Sequence, residues 1–123
     1  MDQTPPLLVI VDGANVVGSV PDGWWRDRKG AAERLRDRLA AAGVPRVAQR
    51  AEIVLVVEGA ARHVAAVTGV RVEAAPGSGD DLVVELVARA DQRPVVVVTA
   101  DRELRRRVTA LGAEVTGPRS VRD

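Results

Sequence analysis

Acidic residues that stand directly after apolar runs hold most of the chemistry in this 123-residue sequence. Asp12 follows LLVIV, Glu58 follows IVLVV and Asp101 follows VVVVTA, while Asp80 and Asp81 open an apolar helical pattern in APGSGDDLVVELV. Carboxylates converging without a positive partner repel one another, and a fold tolerates them ionised only if a cation neutralises them. Magnesium or manganese suits such a set, because these hard cations take carboxylate and water oxygens and keep positions open for phosphate. A site of this kind activates water and stabilises the leaving oxygen of a phosphodiester, so hydrolysis of a nucleic-acid backbone is the natural reaction.

Each carboxylate also has an ordinary reading. Asp80 and Asp101 are well placed to cap helices. Asp12 could form an Asx-turn within VDGAN, since no helical pattern is expected until well beyond it. Glu58, alone, reads as a solvated strand end. The signal lies in the clustering, because four separate strand or loop ends deliver carboxylates to one rim.

The neighbouring residues divide in the same way. Thr99 either hydrogen-bonds a carboxylate or a ligand, or caps its strand. Glu85 lies one helical turn after Asp81 and shares its face, yet an ion pair with Arg89 at the next turn accounts for it. Arg102, Arg105 and Arg106 follow Asp101, and Arg26 and Arg28 flank the segment after Asp12. Arginine pairs well with phosphate, whereas Arg105 to Arg107 also read as an ordinary solvated helix face, leaving Arg102 as the phosphate-facing candidate. Trp24 and Trp25 border the expected site, where one could stack on a base; packing on the sheet or burial in a homodimer explains them as well. His63 is expected to be exposed and without a role.

Composition sets the limits on these readings. With 46% hydrophobic residues the chain suits a single domain, residues 1–123, with one ordinary core. Only two aromatic residues occur, so Val, Leu, Ile and Ala must fill the space between sheet and helices. Cysteine is absent and histidine occurs once, which excludes disulfides, thiolate zinc sites and multi-histidine metal sites. The first apolar run is short, has no basic leader and ends in a carboxylate, so neither a signal peptide nor a membrane span is expected, and the protein is expected to be cytoplasmic. A net charge of +1 does not by itself imply nucleic acid.

The elements that must position the acids follow from hydrophobic period. Residues 7–11, 53–57, 70–74 and 95–99 are runs of Val, Ile and Leu expected as buried strands, with 114–116 a weaker fifth. Ala31, Ala32, Leu35, Leu39 and Ala42 share a helical face that ends at Gly43 and Pro45. Leu82, Val83, Leu86, Val87 and Ala90 repeat likewise after Asp80, and Leu104, Val108 and Leu111 form a third face closed by Gly112. A shorter helix is expected over 60–68. Residues 18–29 read as one long irregular insertion. Strand and helix alternate, which implies a doubly wound three-layer α/β domain with a parallel sheet and right-handed crossovers. In such a sheet ligands bind outside the carboxyl ends of the strands.

VDGANVVG at the first strand, GSGDDLVVELV after the third and VVVVTADRELRRRV at the fourth together resemble the bacterial NYN domains of the PIN-like nuclease superfamily, close to the YacP-like group. SVPDGWWRDR is also similar to members of that group, and the resemblance covers essentially the whole chain. It implies a PIN-like fold with strand order 3-2-1-4-5 and a magnesium- or manganese-dependent ribonuclease site acting on RNA. Under this resemblance the family's first-strand aspartate is Asp12 and its nearby asparagine Asn15. The second-strand acid, often Asp in the group, is Glu58, which keeps the charge and lengthens the reach. The helix-leading aspartate aligns better with Asp81 than with Asp80, and the fourth-strand aspartate is Asp101. Asp12 and Asp101 are then expected as central ligands, with Asp81 and Glu58 binding directly or through water, and Asn15 orienting Asp12 or contacting phosphate.

Other acidic α/β domains fit less well. A phosphotransferase of the haloacid dehalogenase type needs a second Asp two residues after the first, where Ala14 stands. A receiver domain needs a lysine after a late strand, and Lys29 is the only lysine. VDGANVVG lacks the GxGxxG of dinucleotide-binding domains. A non-catalytic RNA-binding or protein-interaction domain on the same fold remains the alternative.

Overall fold

The computed structural model describes residues 6–44 and 51–122; Pro45, expected just beyond a helix end, lies outside them. The Val- and Ile-rich runs form β1 (Leu7–Asp12), β2 (Ala51–Val57), β3 (Val70–Ala74), β4 (Val95–Val98) and β5 (Glu114–Thr116). They pair in parallel in the order β3-β2-β1-β4-β5. The strands lack polar alternation because both faces of the sheet are covered. On one face Val9, Val11, Leu55 and Val57 pack with Val16, Leu35 and Leu39. On the other Ile10, Val54, Val56 and Val97 pack with Val83, Val87, Leu104 and Val108.

The first face carries α1 (Gly13–Gly18), α2 (Arg28–Ala42) and α5 (Arg119–Arg122), and the second carries α3 (Gly79–Arg89) and α4 (Arg102–Thr109). Asp27 caps α2 by accepting from the Gly30 amide at 2.9 Å, and Gly43, with φ of 65°, ends it, a conformation glycine reaches without strain.

Several local expectations give way. A helix does start beside Asp12, because β1 runs without a loop into α1. Residues 18–29 are not one irregular stretch: a 3-10 turn, Trp24–Arg26, leads into α2 at Arg28. In place of a helix over 60–68 there is a single 3-10 turn, Gly59–Ala61. The helix after Asp80 is capped by Ser78, whose hydroxyl accepts from the Asp80 amide at 3.1 Å, so Asp80 lies inside the first turn. Finally, α4 stops at Thr109, and Leu111 is 50% exposed and off its buried face.

At the amino ends of the strands the charges are paired. The Arg93 guanidinium meets Glu52 at 2.8 Å and donates twice to the Pro6 carbonyl, at 3.0 and 3.1 Å. Arg71 joins Glu52 to Glu73. Such part-exposed pairs contribute little individually, but together they link the described acids and arginines at that end of the sheet. No helix among the described residues is long and apolar enough to cross a membrane.

Candidate active site

Strand order reverses between β1 and β4, the switch point at which helices leave in opposite directions and a crevice opens at the carboxyl edge. Asp12 ends β1 there and is only 4% exposed. Its Oδ2 accepts from the Thr99 hydroxyl at 2.9 Å, across the switch point. Its Oδ1 accepts weakly from the Asn15 amide at 3.4 Å, which makes Asp12 the N-cap of α1. The Thr99 hydroxyl in turn accepts from the Asp101 amide at 3.1 Å, and the Asn15 side-chain oxygen accepts from the Ala100 amide at 2.8 Å. Four residues singled out in the sequence, Asp12, Asn15, Thr99 and Asp101, thus form one hydrogen-bonded unit.

Asp101 caps α4 by accepting from the Leu104 amide at 2.8 Å through Oδ1. Glu58 is not a solvated strand end; its Oε2 accepts from the Gly79 amide at 2.6 Å and ties the end of β2 to the start of α3. A Cβ at Gly79 would lie 3.4 Å from that carboxylate, an ordinary contact distance.

The surroundings of the two helix-leading aspartates differ. Burial pushes the Asp12 carboxyl from 3.8 up to about 6, against its hydrogen bonds from Thr99 and Asn15, and the charges of Asp80 and Glu58 add to the rise. Asp80 is also raised, first by burial and then by Asp101 and Glu58, with Arg107 opposing. Asp80 therefore shares the field of Asp12, Glu58 and Asp101. Asp81, which the resemblance selected, is exposed and pairs with Arg107 at 3.1 Å. Among the described residues Asp12, Glu58, Asp80 and Asp101 form no ion pair with a basic side chain. Nor do any three acidic or histidine side chains there stand close enough together to form a ready-made metal cage.

The remaining candidates are placed as follows. Arg102 is exposed in the first turn of α4, and its side chain has no hydrogen-bond or ion-pair partner among the described residues. Arg105 donates to the Thr99 carbonyl at 2.8 Å and so braces the end of β4, while Arg106 pairs with Glu103. Glu85 pairs with Arg89, and His63 is exposed. Trp24 is half-buried, and Trp25 is 53% exposed and meets it edge-on at 6.0 Å.

The architecture is that of a doubly wound parallel α/β domain with the PIN-like strand order, and Asp12 and Asp101 stand at its switch point. Among solved structures it is similar to that of Rae1 (YacP) from Bacillus subtilis, in a W164L mutant, with a TM-score of 0.66. The match covers 92% of this chain and 70% of that one at 17% identity, and shows a YacP-like fold. No protein-family model matches the chain, and no curated protein does.

Proposed function

We propose that this protein is a divalent-metal-dependent ribonuclease that hydrolyses RNA phosphodiester bonds at the rim formed by Asp12, Glu58, Asp80 and Asp101. The observation that carries the reading is the burial of Asp12 at the switch point, its carboxyl raised to about 6 by burial and by neighbouring acids. An arrangement that works against its own ionisation calls for a cation. The sequence motifs resembling the YacP-like group and the YacP-like fold supply the reaction class.

The donor set fits magnesium or manganese. Glu58 Oε1, Asp101 Oδ2 and both Asp80 oxygens have no hydrogen-bond partner among the described residues. The carboxylates stand too far apart for an all-protein cage, which suits an ion held by one or two carboxylates that keeps several waters. Asp12 and Asp101 would hold it, with Glu58 and Asp80 acting directly or through water. When bound, the metal supplies a more acidic water and offsets charge on the departing oxygen.

The chain's own groups have defined tasks around it. The Thr99 hydroxyl fixes the Asp12 carboxylate, and the Gly79 amide fixes Glu58. Asn15, anchored through its oxygen by Ala100, has its amide N–H groups left to donate to a phosphate oxygen. Arg102, without an acidic partner, is suited to the RNA backbone.

The absence of three closely grouped acids among the described residues favours a second reading, a non-catalytic RNA-binding or protein-interaction domain on the same fold. Cleavage of single-stranded and structured RNA with magnesium, manganese or EDTA separates the two. The expected result is metal-dependent cleavage that falls about a hundredfold or more in Asp12→Asn. Equal activity in wild type and variant would reject the nuclease reading, and RNA binding with no cleavage under any metal would favour the second.

A further inference from the structure

Beside the carboxylate rim lies a cleft of about 420 Å³, within the size range of small-ligand sites. Glu58 lines both the cleft and the rim, so the two are continuous. Trp24 and Arg28 also line it, with the Arg28 guanidinium 5.4 Å from the centre of the Trp24 ring. Gly13, Ala14 and Gly59 are among its other lining residues and leave the space unfilled. Among the described residues Arg28 has no carboxylate partner and lies over the indole.

These features match the requirements of an unstacked nucleobase. Indole and guanidinium planes are the two side-chain surfaces on which splayed-out RNA bases stack. A base paired in a duplex presents no free face to such a wall, whereas a single strand does. The Arg28 guanidinium, which lies over the indole and has no carboxylate partner among the described residues, can donate to the phosphate of the same nucleotide.

We propose that this cleft receives one unstacked base of a single-stranded RNA, against the wall formed by Trp24 and Arg28, next to the phosphodiester at the acidic rim. The proposal rests on reading that rim as an RNA site. It makes Trp24 a specificity-determining residue through the base that it holds.

Trp24 and Trp25 are the only aromatic residues in the chain, so in Trp25→Leu the fluorescence reports Trp24 alone. Titrating that variant in EDTA with a short single-stranded RNA oligonucleotide should quench the emission saturably, and a duplex of the same composition should not. Trp24→Leu should weaken single-strand binding about tenfold, within the range of one base stack, and Trp24→Phe should restore most of it. Ala14→Leu, at an exposed position lining the cleft, should weaken binding similarly without lowering Tm. Absence of quenching, or wild-type RNA affinity in both Trp24→Leu and Ala14→Leu, would overturn the proposal. Cleavage assays on the same variants keep the two ideas apart. Quenching without metal-dependent cleavage removes the nuclease reading and supports the cleft; normal cleavage and binding by both cleft variants removes the cleft alone.

Discussion

At the residue scale, the burial of Asp12 makes stability depend on pH. Its carboxyl is raised from 3.8 to about 6 in the folded protein, so between those values the folded state holds a proton that the unfolded state has released. Stability from this group is fully present below about pH 4 and is lost as pH rises through 6. The shift corresponds to about 2 to 3 kcal/mol. Asp12→Asn keeps an oxygen that can accept from Thr99, but turns its own N–H donors towards the Asn15 amide, which offsets part of the gain. In metal-free buffer at pH 8 this variant should therefore be more stable than wild type by about 1 to 2 kcal/mol, with the gap closing towards pH 4. Urea denaturation at both pH values measures it, and a variant less stable than wild type at pH 8 would contradict the burial argument. The choice between Asp80 and Asp81 belongs to this scale too. Asp80 lies three and seven residues before the buried Val83 and Val87, whereas Asp81 lies four and seven before the exposed Glu85 and Ala88. Helical period alone therefore separates the two faces on which Asp80 and Asp81 stand.

At the element scale, the long apolar patterns were readable and the short helix at the site was not. GANVVG has glycine at both ends and adjacent valines, a poor helix former. It turns helical because Asp12 caps it and Val16, 2% exposed, is drawn into the core. Only folding supplies those partners. Gly13 is required for a different reason: a Cβ there would lie 2.5 Å from the Val56 carbonyl oxygen, since α1 begins in contact with the neighbouring strand. Gly13→Ala should destabilise the protein by about 2 kcal/mol, while Gly77→Ala, whose Cβ would meet open space, should change little. Thermal unfolding of the two variants checks the contrast, and equal midpoints would show that β2 can yield.

At the scale of the whole molecule, charge is divided between the two ends of the sheet. Among the described residues Arg93, Glu52 and Arg71 pair at the amino end, while Asp12, Glu58, Asp80 and Asp101 at the carboxyl end form no ion pair. A cation bound to the folded state alone stabilises by about 2.7 kcal/mol at a hundred times its dissociation constant. Manganese should therefore raise the Tm of wild type; Asp80→Asn should remove most of the gain, and Asp81→Asn, which breaks only the Arg107 pair, should retain it. Loss in Asp81→Asn with retention in Asp80→Asn would reverse the assignment. The sequence by itself determined the layer architecture and which strand ends carry carboxylates, because burial on both faces demands continuous apolar runs and the polar residues must stand where those runs stop. Strand order 3-2-1-4-5 came from family resemblance and not from that pattern. Only the tertiary structure decided that Thr99 spans the switch point to Asp12, that Glu58 fastens to α3, that Asp80 faces the other acids, and that a cleft opens beside Trp24. Each depends on which strands become neighbours and how closely a helix end approaches them, and such distances are set by packing across the sheet, not by order along the chain.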